Sequence, residues 1–493
     1  MKLRVCLSLL FFSIFSSASF CSADPVTITI NADQAEAPMR KTQLGVGMTT
    51  LVRHSGLSEY LPKLAKAGIG LLRYPGGGQS DLFHWKTNTF SSCSYFYAPP
   101  ETAFDTWMNT IGKPSHAKIA VTVNYGANQD CTRRGNPKEA ADWVYYANKV
   151  KKYGIKYWTV GNERYFPLPV KEGWTSPDPY DPAAYAKAVA EKFYPMMKAQ
   201  DPTIKVGIDM ALGNGDSASW DPVVLTNAKY DFVDLHYYPN YNNTASDTAD
   251  LTSNIDQFVD NLAAARTLLA NSGHADAEIF LSEFDRDSGG NYLGHESVSI
   301  VDALFNAMIV AELVKADVPL AAAHVGVDNC TADPAPGVAA YGWQDFGSYG
   351  LFAAGDTGPY ACPTYDAPEG TVFPKGRAFE LLAKYVTAGE HTINVSSSVP
   401  AVRAYGATQG GGYAFLLVNT SKSASYQSQM VLNNGAAANY SAERFVYGKS
   451  QYDNSKNGVW SGAIHRSMGT VTTPFAVTLP PWSITVVQLK PVG

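Results

Sequence analysis

Apolar runs of four to six residues recur along the chain, and stretches with helical apolar spacing separate them. A short continuous apolar run predicts a strand buried on both faces, the texture of a parallel sheet. Eight such runs are expected as strands: Leu44–Met48, Ile69–Arg73, Lys118–Asn124, Tyr157–Val160, Ile204–Ile208, Phe232–His236, Ile279–Ser282 and Ala321–Val325. The expected helices between them are Leu57–Lys66, Glu101–Ile111, Pro137–Lys152, Asp181–Ala199, a short one near Val223, Asn254–Leu269 and Val298–Val314, with Lys375–Val386 as the last. Leu57, Leu61, Leu64 and Ala65 form one face of the first. Pro137 stands at a first helical position, and Asp181 precedes Pro182 as an N-cap. This alternation predicts an α/β fold, a (β/α)8 TIM barrel over residues 42–388 with enlarged loops.

After Glu390 the pattern changes. Val402–Tyr405, Gly412–Val418, Gln429–Val431, Ala442–Val446 and Ser483–Leu489 alternate or run apolar between Gly, Asn and Ser clusters. They predict an all-β sandwich over 389–493. Val26–Ile30 lies outside the barrel pattern, and residues 24–41 are expected to join the sandwich. The absence of a low-complexity linker predicts that the two domains pack closely.

Composition narrows the class. The chain has 493 residues, 45% hydrophobic and 17% charged, as a two-domain globular protein does. Residues 1–23 read as a secretory signal: Lys2 and Arg4, then apolar Leu7–Phe15, then Cys21-Ser22-Ala23. Its apolar stretch is too short to span a bilayer, so a secreted, extracellular or periplasmic location is expected, with no membrane contact after signal removal. Cleavage would remove two cations and no acid, taking the net charge from −6 to −8. That balance disfavours nucleic acid and anionic membranes as partners. Four cysteines remain. Pairing by proximity gives Cys93–Cys131 and Cys330–Cys362, among three possible connectivities. The cysteine spacings are too wide for a metal site, and neither metal nor cofactor is expected. Sequons stand at Asn242, Asn329, Asn394, Asn419 and Asn439.

Two of the strand-like runs end in glutamate: Tyr157-Trp158-Thr159-Val160-Gly161-Asn162-Glu163 on the fourth and Ile279-Phe280-Leu281-Ser282-Glu283 on the seventh. Strand ends at the carboxyl face of a barrel converge on one mouth. Two carboxylates there suit glycoside hydrolysis, with Glu163 as acid/base and Glu283 as nucleophile, roughly 5 Å apart in a retaining enzyme. Asn162 is placed to bond a sugar 2-hydroxyl. Arg73, opening the Tyr74-Pro75-Gly76-Gly77-Gly78 loop, can hold a carboxylate in a fork, Glu283 being the candidate. His236 and Tyr238, beside Tyr237 at the end of strand six, are candidates for the nucleophile or a substrate hydroxyl. Asn124 and Tyr125 are candidates for the pocket wall. Trp85, after His84, is a candidate stacking platform or core residue. Trp343 and Asp345 lie in a candidate lid after strand eight. Asp285 and Asp287 match only part of a calcium loop.

With these residues in place, the chain resembles the retaining glycoside hydrolases that carry an acid/base on strand four and a nucleophile on strand seven. Among them it is most similar to family 51, the α-L-arabinofuranosidases. Arg73-Tyr74-Pro75-Gly76-Gly77 with Trp85, Asp201-Pro202-Thr203-Ile204-Lys205, Asp234-Leu235-His236-Tyr237-Tyr238 and Gly161-Asn162-Glu163 carry the resemblance. Gly78 stands where the family usually has asparagine, and Ser282-Glu283-Phe284 replaces its usual Asp-Glu-Trp. The resemblance implies a poly- or oligosaccharide substrate and, first, an α-L-arabinofuranoside. Glucanase, xylanase, β-xylosidase or galactofuranosidase activity on the same scaffold are the alternatives. A non-catalytic carbohydrate-binding protein is the alternative of another class; tight glycan binding without sugar release would mark it.

Overall fold

The structure is a computed structural model. It describes residues 26–48, 57–94, 96–166, 170–171, 174–175, 180–241, 244–288, 293–332, 339–355 and 367–492. The signal-like residues 1–23, the sequon at Asn242 and Cys362 lie outside these.

Eight parallel strands form the expected barrel, in chain order around the sheet: Gly45–Gly47, Leu71–Tyr74, Lys118–Val123, Tyr157–Val160, Lys205–Asp209, Phe232–Tyr237, Glu278–Phe284 and Leu320–Ala321. Strand eight returns to strand one through Ala323, whose N–H donates to Gly45 O at 2.9 Å and whose carbonyl accepts from Gly47 N at 2.9 Å. The ring leaves no edge for another chain to pair with. Leu71, Ala120, Phe232, Phe280, Leu320 and Ala322 are buried together in one cluster.

The helices begin where capping chemistry puts them. Asn136 accepts from Lys138 N ahead of Pro137–Tyr145, Asp181 from Ala184 N ahead of Pro182–Ala188, and Ser299 from Asp302 N ahead of Ile300–Lys315. The expected Glu101–Ile111 helix is broken into a 3-10 turn at Pro100–Thr102, an α turn at Phe104–Trp107 and a π turn at Met108–Gly112. Helix Ile300–Lys315 is buried almost all round. It packs on helix Pro374–Tyr385 and also touches the N-terminal strand Val26–Pro38 and the C-terminal strand Ser483–Pro491.

The second domain is one ladder of nine strands. Its order is Ile464–Thr472, Asn439–Gly448, Ser483–Pro491, Gly412–Asn419, Val402–Gln409, His391–Ser397, Val26–Pro38, Tyr426–Asn433 and Phe475–Leu479. Val26–Pro38 sits inside the ladder, antiparallel to His391–Ser397 and parallel to Tyr426–Asn433. The ladder curls so that Val26, Ile28 and Ile30 share a core with Phe415, Leu417 and Val487. Its other face, with Ala407, Leu416, Val418, Ile484 and Val486, joins the barrel's core. Alternating side chains along each strand thus serve two cores.

Candidate active site

Strand four ends in a turn that only a particular backbone allows. Gly161 has φ +84° and Glu163 has φ +52°. A Cβ on Gly161 would come within 2.9 Å of the Arg164 side chain, so glycine is required there. Left-handed backbone at a glutamate is uncommon and is held here by its neighbours. Arg164 N donates to Asp209 Oδ2 at 2.9 Å, and Phe166 N to Glu163 O at 3.1 Å. Asn162 N and Tyr125 N both donate to the buried Asp81 carboxylate, at 3.3 and 3.1 Å. Asp81 therefore ties together the ends of strands two, three and four.

Strand seven carries Glu283 inside its span, not just beyond it. Pairing with strand six slips there: Leu235 opposes Leu281, but His236 opposes Glu283. The extra residue, Ser282, makes a bulge, a device that redirects side chains at a sheet's rim.

Glu163 and Glu283 meet. One carboxylate oxygen from each, with a ring nitrogen of His236, lie within 4.8 Å of one another. Arg73 Nη1 donates to Glu283 Oε1 at 2.5 Å and its Nη2 to Asn162 Oδ1 at 2.7 Å. Tyr238 donates its hydroxyl to Glu283 Oε2 at 2.8 Å. His236 Nδ1 bonds Glu163 Oε1 at 2.9 Å, and Nε2 meets Ser282 Oγ at 3.1 Å. Ser282 donates its hydroxyl to Asp234, which also accepts from Thr159 Oγ at 2.8 Å. Arg73, Asn162, His236 and Glu283 are each less than a tenth exposed. The Glu163 side chain is the most open of the group, at 19% against 7% for Glu283.

Electrostatics give the two glutamates different surroundings. Burial opposes a charge on Glu283, but His236 and Arg73 outweigh it and hold the carboxyl well below the usual carboxylate range. Burial likewise opposes a charge on His236, yet Glu283, Glu163 and Asp234 push its pKa up to about 9. His236 is therefore an imidazolium with both nitrogens donating. This trio is the one group of possible metal ligands found among the described residues. Its donor set suits a cation poorly: a ligating histidine must be neutral, and Glu283 already carries the Arg73 guanidinium.

The other expected site residues fall elsewhere. Trp85 is a core residue: its ring stacks on Trp143 at 5.6 Å, and its Nε1 donates to Glu139 O. Asn124 folds its own loop, donating to Ala127 O at 2.8 Å and accepting from Ala127 N at 3.2 Å. Trp343 packs against Tyr452 and Trp460 of the second domain, tying down the segment after strand eight. Tyr237 and Tyr125 are buried supports; Tyr237 donates to Asn254 O, and the Tyr125 ring packs edge-on to Tyr185. Asp285 faces no calcium loop, because Lys375 Nζ is its cation. Cys93 and Cys131 form the expected disulfide, between the loops after strands two and three. Cys330 is disulfide-bonded as well. Asn419 is fully buried and donates to three carbonyls, so its sequon is structural.

Sequence reading missed Asp81, Asp234, Asp209, Ser282 and His324. The available signal was an acid within an apolar run, as in Phe232-Val233-Asp234-Leu235. A charge inside a doubly buried strand needs a partner, and that partner marks a network.

No family model matches the chain. It is 27% identical over 233 residues to a protein described as probable α-L-arabinofuranosidase C from Aspergillus clavatus, a match covering 40% of this chain and 42% of that one. It is 25% identical over 265 residues to an intracellular exo-α-(1→5)-L-arabinofuranosidase of Acetivibrio thermocellus, over 47% and 49% of the two chains. The chain thus matches less than half the length of these curated relatives. Among solved structures, the α-L-arabinofuranosidase of Thermotoga maritima in complex with arabinose superposes with a TM-score of 0.71. That match has 19% identity and covers 94% of this chain and 99% of that one. The chain resembles proteins named as α-L-arabinofuranosidases in part of its sequence, and family 51 arabinofuranosidases in fold. The likeness to the solved structures spans both domains, so the barrel and the rolled sheet match as a unit.

Proposed function

We propose that the chain is a retaining glycoside hydrolase and that its substrate is an α-L-arabinofuranoside at a polysaccharide side chain. The observation that carries this reading is the approach of Glu163 and Glu283 to within 4.8 Å at the ends of strands four and seven. Roughly 5 Å leaves no room for a water between the carboxylate and the anomeric carbon, so the carboxylate itself must attack. Glu283, kept ionised, attacks that carbon while Glu163 protonates the leaving oxygen. Glu163 then takes a proton from a water whose oxygen attacks the anomeric carbon and displaces the Glu283 carboxylate, releasing the sugar with its configuration retained. Arg73 holds one Glu283 oxygen and orients Asn162 with the same guanidinium, leaving the Asn162 amide N–H for the sugar 2-hydroxyl. His236 Nδ1 bonds Oε1 of Glu163 and so orients the carboxyl that serves the leaving group.

The arabinofuranosidase names of the curated relatives support the sugar. The reading extends to export, supported by the leader-like residues 1–23 and the Cys93–Cys131 disulfide. No helix among the described residues is long and apolar enough to cross a membrane. A panel of aryl furanosides and pyranosides beside arabinan, xylan and glucan tests the function. Release from the aryl α-L-arabinofuranoside supports it, with Glu163→Ala losing release from the polymers and Glu283→Ala losing release from every substrate. Release from a pyranoside or glucan alone contradicts the sugar, and full activity in either variant contradicts the mechanism.

A further inference from the structure

A second, deeper charge cluster lies behind the site. Lys375, in the first turn of helix Pro374–Tyr385, is fully buried. Its ammonium pairs with Asp285 and donates to the backbone carbonyl of His324 at 3.0 Å. Asp285 is two residues beyond Glu283 and is also fully buried. Its other oxygen accepts from Asn306 at 3.1 Å, and Asn306 donates to Asp302 as well. Burial, and then the Asp285 charge, push the Asp302 carboxyl well up, which favours its neutral form beside the Lys375–Asp285 pair. A dehydrated ion pair contributes little net stability compared with apolar packing. Its geometry points to another role, because Lys375 ties the end of strand eight to the strand that carries Glu283.

What Lys375 fixes is His324. The His324 N–H donates to Phe284 O at 3.1 Å, so both backbone groups of this residue are held. The imidazole lies edge-on to Tyr349, with centroids 4.7 Å apart, and Nδ1 stands 3.8 Å from Glu283 Oε2. The side chain is 22% exposed, whereas Lys375 is sealed. Glu283, Asp285, Lys375 and Arg73 are the charged groups facing it, and Tyr238 and Tyr349 its aromatic neighbours. Burial, the largest influence, outweighs the two acids and lowers its pKa, so the ring is neutral. A neutral imidazole offers one donor and one acceptor, which suits a sugar hydroxyl. A carbon attacked by Glu283 must come within about 3.5 Å of its carboxylate, which brings the attached ring within reach of His324.

We propose that His324 contacts the bound sugar and helps set which sugar the site accepts, and that Lys375, through Asp285 and the His324 carbonyl, is the positioning residue that holds it there. This inference rests on the glycosidase reading above. Lys375→Met alone leaves Asp285 buried and unpaired and is expected to fold poorly. The charge-matched pair Lys375→Met with Asp285→Asn is expected to fold, with a Tm near that of the wild type. Against an aryl α-L-arabinofuranoside, His324→Ala should raise KM about 10-fold, with a smaller change in kcat. The charge-matched pair should do the same. Combining all three substitutions should add no more than a further twofold, since both act through one contact.

A charge-matched pair with wild-type Tm and wild-type KM would overturn the positioning role, as would KM effects that multiply. If that pair does not fold, His324→Ala decides alone, and an unchanged KM and unchanged preference across the aryl-glycoside panel overturn the proposal. The two failures are distinguishable. A wild type inert on every glycoside overturns the glycosidase reading. A wild type that is active and dies with Glu283→Ala, while His324→Ala is indifferent, overturns only this inference.

Discussion

At the residue scale, Arg73 is the side chain that most changes its neighbours. Its guanidinium spans Glu283 and Asn162, and with His236 it holds the Glu283 carboxyl low. Arg73→Met removes one of those two cations and both bonds, so the Glu283 pKa must rise. The acid limb of the pH–rate profile should then move to higher pH, and kcat/KM should fall roughly 100-fold or more at neutral pH. An unmoved acid limb would show that the limb belongs to another group. His236 acts in the opposite sense. Its pKa is raised from 6.5 to about 9, so its charged form is favoured by folding. That contribution is fully present below pH 6.5 and disappears as pH rises through about 9. Thermal unfolding followed from pH 6 to 10 should therefore show a fall in Tm centred between these values, absent in His236→Asn. Much of this scale was hidden in the sequence. Glu163, Glu283, Asn162, Arg73, His236 and Tyr238 were legible because each closes a strand or a glycine loop at the barrel mouth. Asp81, Asp234 and Lys375 were not, because their roles depend on partners 40 to 90 residues away in the chain.

At the element scale, the loops after strands two and three are joined by Cys93–Cys131, which closes a loop of 38 residues. In the chain-entropy picture such a crosslink stabilises by about 3–4 kcal/mol. Cys93→Ser with Cys131→Ser should lose close to that amount in denaturant unfolding, while the Arg73–Glu283 bond, made by strands, survives. A loss under about 1 kcal/mol would mean the loops are held by their backbone bonds alone. The barrel strands were readable as apolar runs and the helices as capped, periodic segments. Three strands of the second domain were not: His391–Ser397, Ile464–Thr472 and Phe475–Leu479. Ile464–Thr472 is an edge strand exposed along nearly its whole length, so no alternation of apolar residues announces it. The bulge at Ser282 was also invisible, since register is a property of the pair and not of either strand.

At the scale of the whole molecule, the two domains share one core in addition to the clusters each keeps to itself. Ala407, Leu416, Val418, Ile484 and Val486 of the rolled sheet lie in the same apolar cluster as the barrel helices. The N-terminal strand is pinned between two C-terminal strands. A chain ending at Glu390 would expose helix Ile300–Lys315 and strand Val26–Pro38 together. Such a truncation is expected to aggregate, and a soluble fragment with a cooperative transition would contradict a shared core. The shared core was legible only as close packing between domains; which faces meet follows from the alternation of inner and outer residues once strand order is known.

The central claim is that Glu163 and Glu283 act on one sugar from opposite roles, and azide tests it most directly. Glu163→Ala and Glu283→Ala would each be incubated with an aryl α-L-arabinofuranoside and sodium azide, and the anomeric configuration of the glycosyl azide read by NMR. Glu163→Ala still forms the glycosyl-enzyme on Glu283, so its azide product should retain the α configuration. Glu283→Ala leaves space for azide to attack directly, so its product should be the inverted β anomer. The same anomer from both variants, or the reverse assignment, would contradict the account.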